Sequence, residues 1–320
     1  MKTPRFLQIG HDNPAARRRE LLSGLLAKSA RISPKYFYDA IGARLFAAIT
    51  ELPEYYPTRA EAAIFARYCA EMVEEIARSG GAATLVDLGA GNCEKAARLF
   101  ATFGVQRYVA VDISVDYLAQ SLSTLQREHP AMDLIGIGMD FSRELALPAE
   151  LGGQSRLIFY PGSSISNFDS AEALAFLRQM HAAAQGGALL IGVDLVKPVE
   201  ILEAAYDDPL GVTAAFNRNV LLNINAQFGS DFQLADWRHV AYFNVPASSI
   251  EMHLEAAHNI HVKWPGGERY FASGERIHTE NSYKWQVEDF YELLASAGFV
   301  GSRHWTDERG WFAIFHANAG

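Results

Sequence analysis

The feature that most constrains the fold is an apolar strand that runs directly into a glycine turn. Residues 85–88 are strand-like, the chain then passes through Gly89 and Gly91, and a helical pattern follows. Glycine lets the backbone approach a ligand closely, and the start of a helix offers unpaired N–H groups. A second apolar strand ends at Asp112, where a doubly wound sheet places a carboxylate that binds ribose hydroxyls. Turn and acid together predict a site for a nucleoside-containing cofactor.

The glycine spacing favours one class of cofactor over another. The dinucleotide fingerprint has a third glycine three residues after Gly91, and this chain has Glu94 there. That departure argues against NAD and suits the looser turn of S-adenosylmethionine methyltransferases. A third strand runs into Asp140 and Phe141, which we expect against the amino group and the ring of adenine. The alternative is that Asp140 merely caps a loop.

Composition and charge narrow the class of protein. A chain of 320 residues can form one large domain or two modest ones. Its net charge is −9, and the sequence contains no long run of basic residues. The short Arg17-Arg18-Arg19 cluster is typical of a solvated helix face, so we expect no nucleic-acid partner. Two cysteines indicate a reducing compartment, and the longest apolar stretch is too short to span a bilayer. We therefore expect a cytoplasmic monomer without a membrane partner, and without a metal because no zinc-ligand spacing occurs.

The order of the predicted elements indicates an α/β fold. Strands and helices alternate in the middle of the chain, which predicts a parallel sheet covered by helices. The strands of this alternation are expected at 84–88, 107–112, 133–138, 157–160 and 188–193. Helices are expected at 13–30, 40–51, 59–78, 93–103, 114–127, 169–184, 199–205, 209–227 and 287–297. Antiparallel strands are expected over 237–263 and 276–284, with a final strand pair near 301–316.

This order of elements predicts two regions with different folds. Residues 57–196 plus 286–320 are expected to form a Rossmann-like domain. Residues 1–56 plus 197–285 are expected to form a second, mixed α+β lobe that binds the substrate. A ligand cleft is expected between them, at the carboxyl ends of the parallel strands.

Several longer motifs are more distinctive than the glycine turn and do not belong to methyltransferases in general. They are Lys35-Tyr36-Phe37-Tyr38-Asp39, Leu52-Pro53-Glu54-Tyr55-Tyr56-Pro57-Thr58-Arg59, Gly192-Val193-Asp194-Leu195-Val196-Lys197, Glu203-Ala204-Ala205-Tyr206-Asp207-Asp208 and Ile250-Glu251-Met252. On these residues the chain resembles the histidine Nα-methyltransferases of ergothioneine biosynthesis, from roughly residue 33 to the C-terminus. The resemblance implies three successive methyl transfers from S-adenosylmethionine to the α-amino group of L-histidine, giving hercynine.

The resemblance also implies a role for individual residues. For S-adenosylmethionine it implies Gly89, Lys95, Asp112, Asp140 and Phe141. For histidine it implies Tyr38, Phe46, Tyr55, Gly162, Asn167, Tyr206, Met252, Glu280 and Ser282. Catalytic roles fall to Tyr38 and Asn167, and the amino and carboxylate groups of the substrate are expected between Asn167, Tyr55 and Tyr206. Each methylation needs a neutral amine, and a tyrosine hydroxyl, a carboxylate or water remain open as proton acceptor.

The strand near residue 280 departs from the family pattern. The usual Thr-Glu-Ile-Ser is here Thr279-Glu280-Asn281-Ser282, followed by Tyr283 and Trp285. Strict alternation would place His278, Glu280 and Ser282 on one face and Asn281 on the other. A carboxylate beside a hydroxyl matches the two nitrogens of an imidazole, one donating and the other donating or accepting. The alternative is an exposed polar strand face, and Met252 could equally be core or the wall of a pocket.

Two rival functions remain beside histidine methylation. One is an Nα-methyltransferase of another amino acid, such as tryptophan, on the same scaffold. An indole would give a buried Glu280 only one donor, which argues against that rival. The other is a regulator that binds S-adenosylmethionine without catalysis, and it would have little use for the full substrate-binding set.

Overall fold

The computed structural model describes residues 2–9, 14–113, 115–142 and 144–320. Its strands are β1 Arg5–Gln8, β2 Ala30–Arg31, β3 Thr84–Leu88, β4 Arg107–Asp112, β5 Asp133–Gly138, β6 Leu157–Tyr160, β7 Ala188–Asp194, β8 Trp237–Asn244, β9 Ser249–Ala256, β10 Ile260–Trp264, β11 Gly267–Phe271, β12 Arg276–Tyr283, β13 Val300–Thr306 and β14 Phe312–Asn318. Its helices are α1 Pro14–Leu25, α2 Ala40–Thr50, α3 Tyr56–Arg78, α4 Glu94–Ala97, α5 Phe100–Phe103, α6 Val115–Glu128, α7 Ser170–Ala184, α8 Val199–Ala204, α9 Val212–Phe228 and α10 Val287–Ser296. Short 3₁₀ helices lie at Pro34–Phe37, Ala149–Leu151, Ser164–Asn167 and Leu234–Asp236.

The larger sheet has eight strands in the order β1-β5-β4-β3-β6-β7-β14-β13. Its neighbours from β1 to β7 are parallel, whereas β14 runs antiparallel to both β7 and β13. The chain order reverses direction at β3, which lies between β4 and β6. Open α/β sheets bind ligands at such a switch point, outside the carboxyl ends of the strands. The predicted Rossmann-like α/β fold is thereby confirmed.

The central strands of this sheet are buried on both faces. Every residue of β3 and of β7 is buried, so these strands read as apolar runs rather than alternating patterns. One face carries a core cluster that includes Ile64 of α3, Leu122 of α6 and Phe312 of β14. Because β3 and β7 are buried along their whole length, the loops that follow them begin at well-packed strand ends.

A four-stranded sheet in the order β2-β12-β9-β8 forms the core of a second region. Its main pairs are antiparallel, and β2 adds two residues parallel to β12. A separate hairpin joins β10 to β11 through Pro265 and Gly266, and Gly266 has a φ of +83°. The turn is confined to Pro265 and Gly266, because Gly267 already pairs with Trp264 in the strand.

The chain divides into two compact units. The first unit is Met1–His11, Arg59–Leu195 and Trp285–Gly320, and the second unit is Asp12–Thr58 and Val196–Lys284. Residues 1–56 were expected to lie wholly in the second lobe, and this is wrong for β1. Strand β1 pairs with β5 of the larger sheet, from Arg5 opposite Ile135 to Gln8 opposite Gly138. Four residues are too few for a clear strand pattern, and the open edge of β5 decides their place.

Two expected helices differ in extent from the observed ones. The helix expected at 93–103 is two short helices, α4 and α5, which are separated at Arg98 and Leu99. The helix expected at 13–30 ends at Leu25. The expected helix starts at residues 13 and 114 lie outside the described residues. Within the described ranges, every helix is too short or too polar to cross a lipid bilayer.

Candidate active site

The glycine turn after β3 has the geometry that its sequence predicts. Gly89 and Gly91 have φ angles of +73° and +52°, in the left-handed region that favours glycine. The N–H groups of Gly89 and Ala90 both donate to the carbonyl of Val111 in the neighbouring strand, at 2.9 and 3.1 Å. The turn is therefore fastened to the end of β4, and its backbone can lie close to a bound ligand.

Asp112 is joined directly to this turn. It is the last residue of β4, and its Oδ2 accepts a hydrogen bond from the N–H of Gly91 at 3.0 Å. The two residues are 21 positions apart in the chain. Turn and acid therefore form one structural unit, at the switch point of the sheet.

Phe141 lies beside the same turn. A Cβ atom added to Gly89 would come within 3.7 Å of the tip of the Phe141 ring. That ring stacks on Phe176 with centroids 5.9 Å apart and an angle of 17° between the planes. Its neighbour Asp140 accepts a hydrogen bond from the hydroxyl of Ser142. A flat apolar ring and a carboxylate thus follow β5 next to the glycine turn.

Lys95 belongs to a charge network that sequence analysis missed. Its Nζ donates to Oε2 of Glu61 at 2.6 Å, and Oε1 of Glu61 accepts the N–H of Gly162 at 2.7 Å. Glu61 is 2% exposed and is a carboxylate on the buried stripe of α3, which continues through Ile64 and Met72. A charge on an otherwise apolar helix stripe is the signal that could have found it. The predicted residues Lys95 and Gly162 are therefore tied together through Glu61.

The loop after β6, which carries Asn167, is fixed by a hydrogen bond to β7. Ser163 has a φ of 60°, and its hydroxyl accepts the N–H of Asp194 at 2.7 Å. The Ser163 and Ser166 hydroxyls are 2.7 Å apart. Asn167 ends the 3₁₀ helix that follows and is partly exposed. The serines thus hold the loop on β7 and leave the amide at its accessible end.

Asp87 is a buried acid in the strand that leads to the turn. Burial raises the pKa of its carboxyl to about 7, against the lowering effect of a hydrogen bond from the Tyr108 hydroxyl at 2.6 Å. Its Oδ1 has no hydrogen-bond partner within the described part of the chain. Burial also raises the pKa of the nearby Cys93 thiol to about 12, so this cysteine is not a nucleophile at neutral pH.

In the second unit, helix α9 fixes the segment that carries Tyr38. The side chains of Asn219 and Asn223 donate to Oδ1 of Asp39 at 2.8 Å and to the carbonyl of Tyr36 at 2.7 Å. Asp39 also caps the N-terminus of α2. Tyr38 is thus held between two anchored neighbours, while 39% of its surface remains exposed.

Four of the predicted substrate residues form a continuous aromatic row. Edge-to-face contacts join Tyr38 to Phe46, Phe46 to Tyr55 and Tyr55 to Tyr206. The ring centroids in these pairs are 5.8, 6.1 and 6.4 Å apart. These contacts therefore join four rings in sequence, and three of the four are phenols.

Three further predicted residues share one face of the smaller sheet. Glu280 lies opposite Met252, and Ser282 lies opposite Ile250, in the antiparallel pair of β12 and β9. Directly opposed residues project from the same face. Glu280, Ser282 and Met252 are 9%, 6% and 2% exposed, so the alternative of a solvent-exposed strand face is wrong.

A β-bulge changes the predicted faces of this strand. The register shifts between His278 and Glu280, and Thr279 is the extra residue, with its hydroxyl donating to the carbonyl of Met252 at 3.0 Å. His278 was expected on the face of Glu280, and this is wrong, because its Nε2 lies 2.8 Å from Oδ1 of Asn281. Asn281, which lies opposite Glu251, faces away from Glu280 and Ser282, as alternation beyond the bulge requires.

Lys284 is a second residue that sequence analysis missed. Its side chain is buried, and its Nζ donates to Oγ of Ser282 at 2.6 Å and to the hydroxyl of Tyr206 at 3.3 Å. The Tyr206 hydroxyl itself donates to Oγ of Ser282 at 2.7 Å. The spacing Glu280, Ser282, Lys284 continues the strand alternation, and that period is the signal that could have found the lysine. Tyr206 is thereby joined to the strand residues.

The contacts gather the predicted residues into two sets. In the first unit, Gly89, Asp112 and Phe141 meet at the turn, and Lys95 meets Gly162 through Glu61. In the second unit, the aromatic row reaches Ser282 through Tyr206. The described residues contain no cluster of three or more His, Cys, Asp and Glu side chains that could hold a metal ion.

Comparison with known proteins gives a consistent result. A family model described as histidine-specific, S-adenosylmethionine-dependent methyltransferase matches residues 17–319. The histidine N-alpha-methyltransferase of Mycolicibacterium smegmatis is 39% identical over 306 residues, which is 93% of this chain and 94% of that protein. The protein of the same name from Mycobacterium tuberculosis is 38% identical, with the same coverage of both chains.

More distant similarities extend to other methyltransferases. The 4-dimethylallyltryptophan N-methyltransferase of Penicillium roqueforti is 23% identical over 314 residues, which is 90% of this chain and 89% of that protein. Among solved structures, the CcbJ methyltransferase from Streptomyces caelestis is similar with a TM-score of 0.47 and 17% identity. That similarity covers 85% of this chain and 98% of the other. From the family match over nearly its whole length and the 39% identity to a curated member, the chain belongs to the histidine-specific, S-adenosylmethionine-dependent methyltransferases.

Proposed function

We propose that this protein transfers three methyl groups from S-adenosylmethionine to the α-amino group of L-histidine, giving hercynine in an early step of ergothioneine biosynthesis. One observation carries the choice of substrate. Glu280 and Ser282 lie buried on one strand face beside Met252, where a carboxylate and a hydroxyl can meet two ring nitrogens. Family membership and the high identity to histidine N-alpha-methyltransferases support the same substrate.

The first unit is proposed to hold the methyl donor. The left-handed turn at Gly89 lets the backbone approach the donor, and a side chain there would point at the Phe141 ring. Asp112 is proposed to bind the ribose hydroxyls, because it is fixed to the turn at the end of β4. Asp140 would accept from the adenine amino group, and Lys95, neutralised by Glu61, would border the donor.

The second unit is proposed to select the substrate. Glu280 would accept an N–H of the imidazole, Ser282 would bond the other nitrogen, and Met252 would form the apolar wall. The row of Tyr38, Phe46 and Tyr55 would line the region of the growing trimethylammonium group, because ring faces attract cations. The bond from Tyr206 to Ser282 favours a place for Tyr206 near the imidazole, rather than at the substrate carboxylate.

The protein's chemical task is alignment rather than activation. The sulfonium of the donor is already reactive, so an amine in line with the S–CH₃ bond displaces it once water is excluded. Asn167 is proposed to bind the amino and carboxylate groups from its fixed loop, together with Gly162. Tyr38, anchored by its neighbours yet exposed, is proposed to orient the amine and pass its proton on.

The direct test is turnover with free histidine. Purified protein is incubated with S-adenosylmethionine and L-histidine, and S-adenosylhomocysteine release is measured together with the mass of the amino-acid product. We expect a product that carries three added methyl groups and no product from phenylalanine, whose ring offers no polar atoms to Glu280 and Ser282. Donor binding without turnover on any amino acid would support the regulator instead.

A rival substrate remains because a family relative bears another specificity in its name. The similarity to a 4-dimethylallyltryptophan N-methyltransferase favours testing indole amino acids in the same assay. The paired carboxylate and hydroxyl of Glu280 and Ser282 argue for histidine, since an indole has a single N–H. Higher transfer efficiency on tryptophan than on histidine would decide for the rival.

We also propose that the protein acts as a monomer in the cytoplasm, without nucleic-acid or membrane partners. The net charge of −9 and the short basic cluster support this proposal. Light scattering during size-exclusion chromatography measures the oligomeric state, and a stable dimer would contradict it. Cell fractionation tests the compartment.

A further inference from the structure

The hydroxyl of Ser282 is occupied on one side by two donors. The ammonium of Lys284 can only donate, and it lies 2.6 Å from Oγ of Ser282 and 3.3 Å from the oxygen of Tyr206. Since the Tyr206 oxygen receives from Lys284, its own proton points to Ser282, at 2.7 Å. These two contacts are all the side-chain hydrogen bonds that the described residues make to Oγ of Ser282.

Two accepted bonds leave this hydroxyl with one remaining role. A serine oxygen has two acceptor lone pairs and one O–H donor. Both lone pairs of Ser282 are used, so its proton is the one group left for a ligand. Glu280, on the same strand face, is an acceptor when ionised. The pair therefore offers one acceptor and one donor, and not two acceptors.

We propose that Lys284 is a positioning residue that makes Ser282 a hydrogen-bond donor, so that the site takes the neutral imidazole of histidine in a single tautomer and rejects the imidazolium. Neutral imidazole has one N–H for Glu280 and one bare nitrogen for Ser282. Imidazolium has two N–H groups, and one of them would meet the Ser282 proton and the ammonium of Lys284 behind it. This role rests on the proposed function, because it assumes that histidine binds at Glu280 and Ser282.

The structure holds Lys284 firmly in this place. Its backbone N–H donates to the carbonyl of Ser248 at 2.7 Å, and the Ser248 hydroxyl donates back to the carbonyl of Lys284 at 2.8 Å. The ammonium also lies 5.0 Å from the centre of the Tyr206 ring. Lys284 is 3% exposed, and its backbone is bonded at both its N–H and its carbonyl, so its side-chain nitrogen is held beside Ser282.

Other titratable groups around Ser282 do not supply the same effect. On β8, His239 lies 2.9 Å from the carbonyl of Tyr206, and burial lowers its pKa. On β9, burial also lowers the pKa of His253, which bonds Glu251 at 3.0 Å on the other face of the sheet. Because their pKa values are lowered, both histidines stay neutral to a lower pH than an exposed histidine does. The substrate ring itself has an ordinary pKa of about 6.5, which lies between pH 5 and 7.

Calorimetric titration of histidine into the wild-type protein saturated with S-adenosylhomocysteine tests the proposal without turnover. If the neutral ring alone binds, and free imidazole has a pKa of about 6.5, the association constant should fall about 25-fold between pH 7 and pH 5. 1,2,4-Triazole-3-alanine serves as the control ligand, because its ring has the same shape and stays neutral over this range. The affinity of this control ligand should stay constant. A parallel fall would mean that a group of the protein titrates, and not the ligand ring, and would overturn the proposal.

The variant Lys284→Met tests the residue itself. Without the ammonium, Ser282 can accept as well as donate, so the fall between pH 7 and pH 5 should shrink to less than about 5-fold. Affinity at pH 7 should drop only about 2- to 10-fold, which is the effect of loosening one hydrogen bond. Tyr206→Phe also frees one lone pair of Ser282 while keeping the lysine. The decrease in its association constant for histidine between pH 7 and pH 5 should therefore lie between those of the wild type and Lys284→Met. This second variant keeps the test decisive if Lys284→Met does not fold.

Lys197→Met is the matched control. Lys197 is also a buried lysine of the second unit, and it donates to a tyrosine hydroxyl, that of Tyr56, at 2.8 Å. Its pH profile should match the wild type. A wild-type profile in Lys284→Met, or the same flattening in Lys197→Met, would overturn the role of Lys284. Absence of histidine binding and methylation in the wild type is a different result, which would withdraw the proposed function and this role with it.

Discussion

The two units hold their site lysines in different ways. In the first unit, Lys95 is neutralised by the carboxylate of Glu61, which also fixes the N–H of Gly162. In the second unit, Lys284 donates to the hydroxyls of Ser282 and Tyr206. The first arrangement is a closed ion pair that stabilises a loop. The second arrangement places the ammonium against two hydroxyls, and in the proposed role these contacts influence the protonation state of a ligand.

The same contrast applies to the buried acids. Asp87 of the first unit has one hydrogen-bond donor, Tyr108, and burial raises its pKa to about 7. For Glu251 of the second unit burial acts in the same direction, but Asn244, Tyr242 and His253 outweigh it and lower its pKa. The number of donors, not burial alone, decides the sign of the shift.

The largest effect is expected from Asp87→Asn, which removes the buried carboxyl of the first unit whose pKa is raised. Because the folded-state pKa of Asp87 is raised from 3.8 to about 7, its contribution to stability is complete below pH 3.8 and is lost as the pH rises through 7. The variant should gain as much as about 4 kcal/mol in relative stability at pH 8, and little at pH 4. Urea unfolding of both proteins across this range gives the measurement.

Glu251→Gln is the opposite case and serves as its control. The pKa of Glu251 is lowered, so its stabilisation is present above the unfolded-state pKa and is lost as the pH falls. The variant should therefore lose stability at neutral pH and approach the wild type in acid. Equal pH slopes for the two variants would contradict the contrast between the units.

Asp112→Ala should weaken binding of the methyl donor, which we place in the first unit. Loss of two hydroxyl contacts to an anion should cost about 2–4 kcal/mol, detected by calorimetric titration with S-adenosylmethionine. Asp133→Ala removes another first-unit acid, one that pairs with Arg5 and Arg107. It should leave donor affinity unchanged. Wild-type donor affinity in Asp112→Ala would remove Asp112 from the binding site.

Glu280→Ala should weaken histidine binding without affecting the donor. A charge-assisted hydrogen bond of about 1.5–3 kcal/mol is removed, so histidine affinity should fall about 10- to 150-fold. Glu251→Gln alters a carboxylate on the other face of the same sheet and should keep histidine affinity near the wild type. If the two variants lose affinity equally, the effect is a disturbance of the sheet and not contact with the imidazole.

The smallest effect is expected from Asn281→Ile, which restores the residue usual in the family. Asn281 bonds His278 on the face away from Glu280 and Ser282. Its replacement should change the free energy of histidine binding by less than about 0.5 kcal/mol. A larger change, measured by calorimetric titration with histidine, would show that the bulged strand affects substrate binding from its far face.

Local patterns predicted most of the first unit. The apolar run before Gly89, the acid that ends β4 and the alternation of strands and helices each depend on residues close in sequence. Glu61 escaped because only the extent of its helix was predicted, although a charge on the apolar stripe of that helix was visible in the sequence. Strand β1 escaped because four residues hold no reliable period, and its partners in β5 are 130 positions away in the chain.

The sequence by itself predicted the alternating parallel strands β3 to β7, the glycine turn with Asp112, and, through the family motifs, the residues proposed to bind the substrate. Tertiary structure alone decided which of them touch. Alternation cannot reveal that Thr279 is extra, because a bulge arises from pairing with β9 and reverses the face of every residue before it. Nor can it reveal that Tyr206 and Lys284 meet at Ser282, since Tyr206 is 76 residues from Ser282 in the chain. Hydrogen bonds between distant segments form only when the chain folds, and they set what the Ser282 hydroxyl can offer.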